Sequence, residues 1–390
     1  MIEDKPSKSV ILTFVRFYLP GYKSGGPVRT IANMVEHLGD DFEFKIVTLD
    51  RDATDDQAYF GVKADQWNEV GKAKVYYLSP ENRTFPRIAK LIINTEHNLL
   101  YLNSFFDPHF SVFPLLARKL NKLPDRPVIL APRGEFSEGA VGLKIWKKRP
   151  FLKISKIFGL YNNITWQASS DYEKADIRRV LGNVAERIVV APNLTKQIEV
   201  NKSTIQKKIT NRPLRIVFLS RVAKKKNLLF ALKVLNKLKV PIELDIYGII
   251  DGEAYWQKCT QAIKELPAEI KVNYHGAIPH EQVNNLLFEY DLLFLPTLGE
   301  NFGHVIYEAL SVGLPVLISD KTPWRNLVKE GVGWDLPLDD KDNYVDAINQ
   351  FANLNILERE KISRQAIQYA ERISSNDNIE KNKLLFLNSG

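Results

Sequence analysis

The chain has 390 residues, 45% hydrophobic and 26% charged, with a net charge of +8. That length is too great for one ordinary core and suits two domains of roughly 150–200 residues, while the composition is that of a soluble globular protein. No window approaches the roughly 18–20 apolar residues that span a bilayer, and the single cysteine, Cys259, excludes an internal disulfide and fits a reducing compartment.

The charge is local. The stretch 118–156 holds eleven Lys and Arg residues against Asp125, Glu135 and Glu138, a surplus equal to the whole net charge, so the remainder is neutral. One basic patch points to one anionic partner surface and away from a general nucleic-acid binder.

In chain order, acidic Glu3 and Asp4 precede the apolar run Val10-Ile-Leu-Thr-Phe-Val15. It reads as a first buried strand, not a secretion signal, and predicts a cytoplasmic protein. Candidate strands lie at 10–17, 44–49, 74–78, 99–103, 128–131, 164–168 and 188–191, then at 215–220, 243–247, 271–275, 292–296 and 315–319. Near-continuous apolar strands alternating with helical patterns predict two successive α/β domains, each a doubly wound parallel sheet. The polar stretch 195–213 lacks a hydrophobic face, which places a linker at roughly 196–212.

Ligands of such sheets bind beyond the carboxyl ends of the strands, so the segment after each strand carries the functional reading. After the first comes Gly25-Gly26-Pro27. Glycine lets backbone approach a ligand and proline suits a first helical turn, but the dinucleotide fingerprint G-x-G-x-x-G is absent. After the second comes Asp50-Arg51-Asp52, a pattern used elsewhere with divalent cations and read here as a solvated turn. Asn103-Ser-Phe-Phe-Asp-Pro-His109 offers His109 as an acceptor-side residue, with Lys23 a further candidate.

Arg133 follows the next strand, in Pro132-Arg-Gly134, with an ion pair to Glu135 or another carboxylate as its plain structural reading. Lys144, Lys147, Lys148 and Arg149 are interleaved with Leu143, Ile145, Trp146, Phe151, Leu152, Ile154 and Ile157, and Pro150 is expected to separate two helices. Such a stretch suits an anionic membrane surface, the pyrophosphate of an acceptor, or an amphipathic helix packed on its own domain with a solvated basic face.

In the second domain Arg221 ends a strand and Lys226 opens the next helix; cations there want an anion between them. Residues 296–324 read as a strand end, a glycine-bearing loop and a helix from about 304 to 312, with Glu300 and Glu308 bracketing the junction. Helix starts bind anions, and a carboxylate one turn inside can hold a sugar diol, so the pair suggests a nucleotide. No histidine spacing resembles a zinc site.

Together SRVAKKKN (220–227), GENFGHVIYEAL (299–310) and GLPVLISDKTPW (313–324) resemble the retaining nucleotide-sugar glycosyltransferases of family 4, whose signature is Glu-x7-Glu. The resemblance implies the GT-B fold, two Rossmann-like domains facing across a cleft: 1–200 on the acceptor side, 201–373 for the donor, and 374–390 crossing back to the first domain. It implies that Arg221 and Lys226 neutralise the donor diphosphate, Glu308 holds the ribose, and Glu300 holds hydroxyls of the transferred sugar. Asn301, Phe302, Gly303 and His304 would offer backbone N–H groups, and Gly25 and Gly26 would close on the phosphates.

Many members carry a histidine where this chain has Arg133. Arginine stays protonated and cannot act as a base; in retaining enzymes of this fold the departing phosphate takes the acceptor's proton, leaving Arg133 to bind an anion or orient hydroxyls. The implied activity is metal-independent retaining hexosyl transfer to a glycan or lipid-linked glycan in surface polysaccharide or lipopolysaccharide synthesis. No cofactor is implied, the nucleotide-sugar being a substrate, with a UDP- or GDP-sugar expected. The expected place is the cytoplasm, peripheral on the inner face of the membrane. The alternatives are a nucleotide-sugar-binding GT-B protein without transferase activity, or an epimerase on the same scaffold.

Overall fold

The structure, a computed structural model, describes residues 8–137, 139, 145–196 and 212–389, with the side chains of 145–147 outside that description. Nearly all of the expected linker, 197–211, falls outside it as well. The chain divides into two compact units, Met1–Leu194 with Asn376–Gly390, and Thr195–Ser375.

Among the described residues the first unit holds an eight-stranded sheet. Its strands are β1 (Ser9–Phe14), β2 (Phe42–Leu49), β3 (Trp67–Val70), β4 (Ala73–Leu78), β5 (Leu99–Leu102), β6 (Val128–Leu130), β7 (Thr165–Ala168) and β8 (Arg187–Val190), in the order β3-β4-β2-β1-β5-β6-β7-β8. Every pairing is parallel except the β3–β4 hairpin at the edge. The central strands are apolar at successive positions because both faces are covered. Leu12, Phe14, Leu100, Leu102 and Trp166 pack on one side, and Ile11, Phe44, Ile46, Tyr101 and Ile129 on the other.

The helix Gly26–Leu38 lies on this sheet through Val28, Ile31, Met34, Val35 and Leu38, spaced at helical period. Each such side chain is worth about 1.5–3 kcal/mol when fully buried, so a charge at Leu38 would undo this contact. The closing helix Asn376–Leu387 belongs to the same unit. Its Phe386 ring lies 5.4 Å from Tyr101 and 5.5 Å from Phe42, and buried Asn382 donates to the Pro192 carbonyl at 2.8 Å.

The second unit has β9 (Leu214–Leu219), β10 (Ile242–Tyr247), β11 (Ile270–Gly276), β12 (Leu292–Leu295), β13 (Val316–Ser319) and β14 (Gly333–Leu336). They are all parallel, in the order β11-β10-β9-β12-β13-β14. The chain grows outward from β9 to one edge and returns to start again at β12. Successive connections therefore leave β9 and β12 in opposite directions, which opens a crevice beyond their carboxyl ends.

All twelve expected strands form, with ends shifted by a few residues, and both sheets are the doubly wound α/β arrangement predicted. Two edge strands, β3 and β14, were not expected. Pro150 does not separate two helices: one helix, Ile145–Ile157, runs through it. A proline removes one backbone hydrogen bond, and Ser155 on this helix is buried while Phe151 and Leu152 pack on the core. Cys259 is buried, its thiol pushed up to about 11 by desolvation. Among the described residues no helix is long and apolar enough to cross a membrane.

Candidate active site

The crevice of the second unit is built by three loops, those after β9, β12 and β13, tied to one another through backbone. Leu298 N–H and the Thr297 hydroxyl both donate to the Lys225 carbonyl, at 2.8 and 3.1 Å. Glu300 N–H donates to the Lys321 carbonyl at 3.1 Å, and the Asn227 amide donates to the Pro296 carbonyl at 3.0 Å. Asn227 takes a left-handed backbone (φ 63°), and the helix Leu228–Leu235 starts after it. Lys226 therefore sits in the short 3-10 turn Lys224–Lys226 and does not open the helix as expected.

This lacing brings Lys226 and Glu300 into a salt bridge, with side chains 16% and 10% exposed. Burial alone would raise the Glu300 carboxyl. The attraction of Lys226 and Lys225, with hydrogen bonds from Lys226 and Thr297, outweighs it and holds the group below the usual carboxylate range.

Gly303 precedes the helix His304–Ser311 at φ 80°, ψ 65°, where a side chain would be strained and a Cβ would come within 2.9 Å of Ile306. Having no side chain, it adds no atoms of its own over the helix start. Phe302 packs on Trp324 at 5.3 Å and on the ring of His304 at 4.9 Å, while Trp324 Nε1 donates to the Phe302 carbonyl. Asn301 lies in the same bend. The loop is thus held from β13's side by an indole.

Glu308, one turn into the helix, is 13% exposed and lies 3.5 Å from His280 Nδ1. Arg221 is 42% exposed and donates to Asp251 at 2.7 Å. Gly248 makes this possible: its α-carbon passes so close to Ser220 that a Cβ would lie 2.1 Å from that carbonyl oxygen. Of the four expected side chains, the structure joins Lys226 to Glu300 and engages Arg221 and Glu308 elsewhere.

The first unit has a matching crevice, where β1 and β5 lead away in opposite directions. Gly25 caps the helix Gly26–Leu38 at φ 68°. The preceding loop is clamped by Asp52, whose carboxylate accepts from Tyr22, Lys23 and Ala53 N–H at 2.7–2.9 Å. Asp50 accepts from Arg51 and Arg83 at 2.9–3.1 Å. Both aspartates are 4% exposed or less. The expected solvated turn is therefore wrong: Asp52 is buried where it fixes the loop before Gly25, and Asp50 where it pairs with Arg51 and Arg83. The Lys23 ammonium pairs with Asp55.

Arg133 makes no ion pair with Glu135. The Glu135 carboxylate accepts instead from Ser104 Oγ and the N–H groups of Phe105 and Phe106, at 2.6–3.1 Å, and burial raises its pKa despite those bonds. Arg133 bonds to Asn103, Asn193 and the Tyr101 hydroxyl. His109 lies in the turn Pro108–Val112, capped by Asp107, with its ring 5.3 Å from Phe113.

Lys144 and the Lys147 side chain lie outside the described residues. Lys148 Nζ stands 4.9 Å over the Phe106 ring. Farther along, Ile154, Ile157 and Phe158 are 55%, 73% and 70% exposed, beside exposed Arg149 and Lys153. Lys156 turns inward to the Val180 carbonyl at 2.8 Å.

Among the described residues no group of three or more His, Cys, Asp or Glu side chains could hold a metal ion. Sequence reasoning missed Asp251 and His280. Both come after strand ends, β10 and β11, so the rule that singled out Arg221 could have singled them out too.

Residues 200–371 match the family model described as glycosyl transferases group 1. An uncharacterized 41.2 kDa protein in the cps region of Klebsiella pneumoniae is 25% identical over 259 residues, 65% of this chain and 69% of that protein. HepE of Anabaena in complex with UDP-glucose shares the fold with a TM-score of 0.70 at 16% identity, over 97% of this chain and 98% of that one. The lipopolysaccharide outer core galactosyltransferase WaaB shares it with a TM-score of 0.62 at 18% identity, over 98% and 99%. The matched segment and the shared architecture support a glycosyltransferase of GT-B fold.

Proposed function

We propose that the chain is a retaining, metal-independent glycosyltransferase that moves a hexosyl unit from a nucleotide-sugar to a glycan or lipid-linked glycan acceptor in surface polysaccharide synthesis. The observation that carries this reading is the Lys226–Glu300 pair at the carboxyl ends of β9 and β12, beside the start of the helix His304–Ser311. A diphosphate entering that crevice would meet an ammonium and helix N–H groups, and Glu308 one turn inside would accept from ribose hydroxyls.

In the reaction the bond from the anomeric carbon to the phosphate oxygen breaks, and its electron pair leaves with the nucleoside diphosphate. Lys226 and Arg221 stabilise the charge that develops there, and fixed cations act most strongly at that stage. Arg221 is free to do so because its exposed pair with Asp251 is worth no more than about 1 kcal/mol. The acceptor hydroxyl attacks the same face and gives its proton to the leaving phosphate oxygen, so no protein base is required. Glu300, ionised and anchored by Lys226, orients hydroxyls of the transferred sugar.

HepE's complex with UDP-glucose favours a UDP-sugar donor, and WaaB's activity favours a surface glycan as acceptor. Exposed Ile154, Ile157 and Phe158 beside Arg149 and Lys153 favour a peripheral seat on an anionic membrane. The test is incubation of the full chain with UDP-, GDP- and ADP-sugars and a lipid-linked glycan, with the anomeric configuration of product read by NMR. Release of nucleoside diphosphate with an α-configured product from an α-donor supports the reading. An inverted product, or none from any donor, rejects it.

A further inference from the structure

We infer that the molecule taken up at the carboxyl edge of the first unit's sheet carries an anionic oxygen group, a carboxylate or a phosphate, that meets Arg133; the inference rests on the glycosyl-transfer reading only in calling that molecule the acceptor.

The guanidinium of Arg133 is only partly exposed, and among the described residues every hydrogen-bond partner it has is neutral. Asn103 Oδ1 accepts from Nε at 3.0 Å and from Nη2 at 2.7 Å, Asn193 Oδ1 accepts from Nη1 at 2.7 Å, and the Tyr101 hydroxyl accepts from Nη2. A guanidinium has five N–H donors and never loses its charge in a protein. Among the described residues these contacts use four donors and leave one on Nη1. Amide and hydroxyl dipoles orient the cation, but they do not cancel its charge. A partly desolvated charge without a counter-ion is costly until an anion arrives.

Two described carboxylates close by are committed elsewhere. Glu135 accepts from Ser104, Phe105 and Phe106, and Glu173 accepts from Gly134 N–H at 2.6 Å and from Ser169. The surroundings are built to hold the arginine still. The Tyr101 hydroxyl donates to Gln167, whose amide donates to the Ala191 carbonyl at 3.0 Å and to Asn382 of the closing helix at 3.4 Å. Asn103 is fixed by its N–H to the Phe14 carbonyl at 3.1 Å, which sets the guanidinium beside the β1–β5 crevice where ligands of such sheets enter. Arg133 itself has a left-handed backbone (φ 55°), unusual for a residue with a side chain and most often kept where a site needs it.

The experiment is calorimetric titration of the full chain, in low-salt buffer with saturating UDP, with D-glucose, D-glucuronate and glucose 6-phosphate. At least one acidic sugar is expected to bind about tenfold or more tightly than glucose, as a charge-assisted contact gives. The acid that wins identifies the group. Arg133→Gln is expected to reduce the preference to within about twofold. Asn193→Asp, which places a carboxylate beside Nη1, is expected to do the same while leaving the arginine in place, and decides the matter alone should Arg133→Gln not fold. Equal or undetectable affinities for acidic and neutral sugars in the unmodified chain, or a preference that survives Asn193→Asp, overturns the inference. A separate UDP titration reports on the donor reading: its failure would reject glycosyl transfer and leave the anion result standing.

Discussion

Lys226 and Glu300 stand 74 residues apart in the chain and share one ion pair, each on a loop that leaves one of two neighbouring parallel strands. The pair exists because Leu298 and Thr297 both bond to Lys225, which locks the two loops together. Structure and proposed chemistry therefore compete for the same ammonium.

Removing one partner strands the other. Lys226→Met and Glu300→Gln should each destabilise the second unit by on the order of 2 kcal/mol, less than a fully buried pair because both side chains keep some exposure. The double variant should recover much of that loss, with turnover low in all three. Denaturant unfolding with parallel rate measurement checks it; fully additive losses would mean the pair has no coupling.

Glu308→Ala should weaken nucleoside-diphosphate binding by roughly 10–100-fold, the worth of a charge-assisted contact. His280→Ala should cost less, since His280 touches Glu308 and not, in this reading, the nucleotide. Calorimetry with UDP settles the order, and unchanged affinity in Glu308→Ala would remove the ribose assignment.

Arg221→Ala should lower kcat several-fold more than it alters stability, whereas Asp251→Asn should change stability by less than about 1 kcal/mol because that pair is exposed. Combining Arg221→Ala with Lys226→Ala should cost several kcal/mol of transition-state stabilisation. Near-normal turnover of the double variant contradicts the leaving-group role.

Glu300 fixes the sign of one pH effect. Its folded-state carboxyl is depressed, so its ionised form stabilises the fold above the unfolded value near ~4.3, and that contribution disappears as pH falls through the lower folded value. Stability should be flat with respect to this group from pH 7 to 5 and fall below about 4. Asp245 is depressed as well, by hydrogen bonds from His275, Tyr290 and Asn273 that outweigh its burial, so the test is the difference between the unmodified chain and Glu300→Gln. Identical curves for both would dismiss the electrostatic account.

Ile157→Ser with Phe158→Ser should reduce flotation with anionic vesicles without changing turnover on a soluble acceptor. Unaltered flotation would dispose of the membrane seat.

The central strands were legible because residues such as Leu100, Leu102 and Ile129 are apolar at every position, the mark of a strand covered on both faces. The edges were not. Trp67-Asn-Glu-Val70 is polar at its centre, and Gly333-Trp-Asp-Leu336 is broken by a glycine and an aspartate, so neither carries that mark. Residues just past strand ends were readable as candidates, but their partners were not. That Arg221 would meet Asp251, Glu308 would meet His280, and Asp52 would clamp the Gly25 loop depends on three-dimensional neighbours from separate strands, and no local pattern reports those.

The first unit is sewn shut by a helix that follows the second unit in the chain, through Leu385, Phe386 and Asn382. During synthesis the ribosome delivers that stitch only after the contiguous second unit has been made, so the earlier half waits, incomplete, while the later half can already close. A nascent chain of this protein should thus acquire protease resistance in the order opposite to its coding sequence.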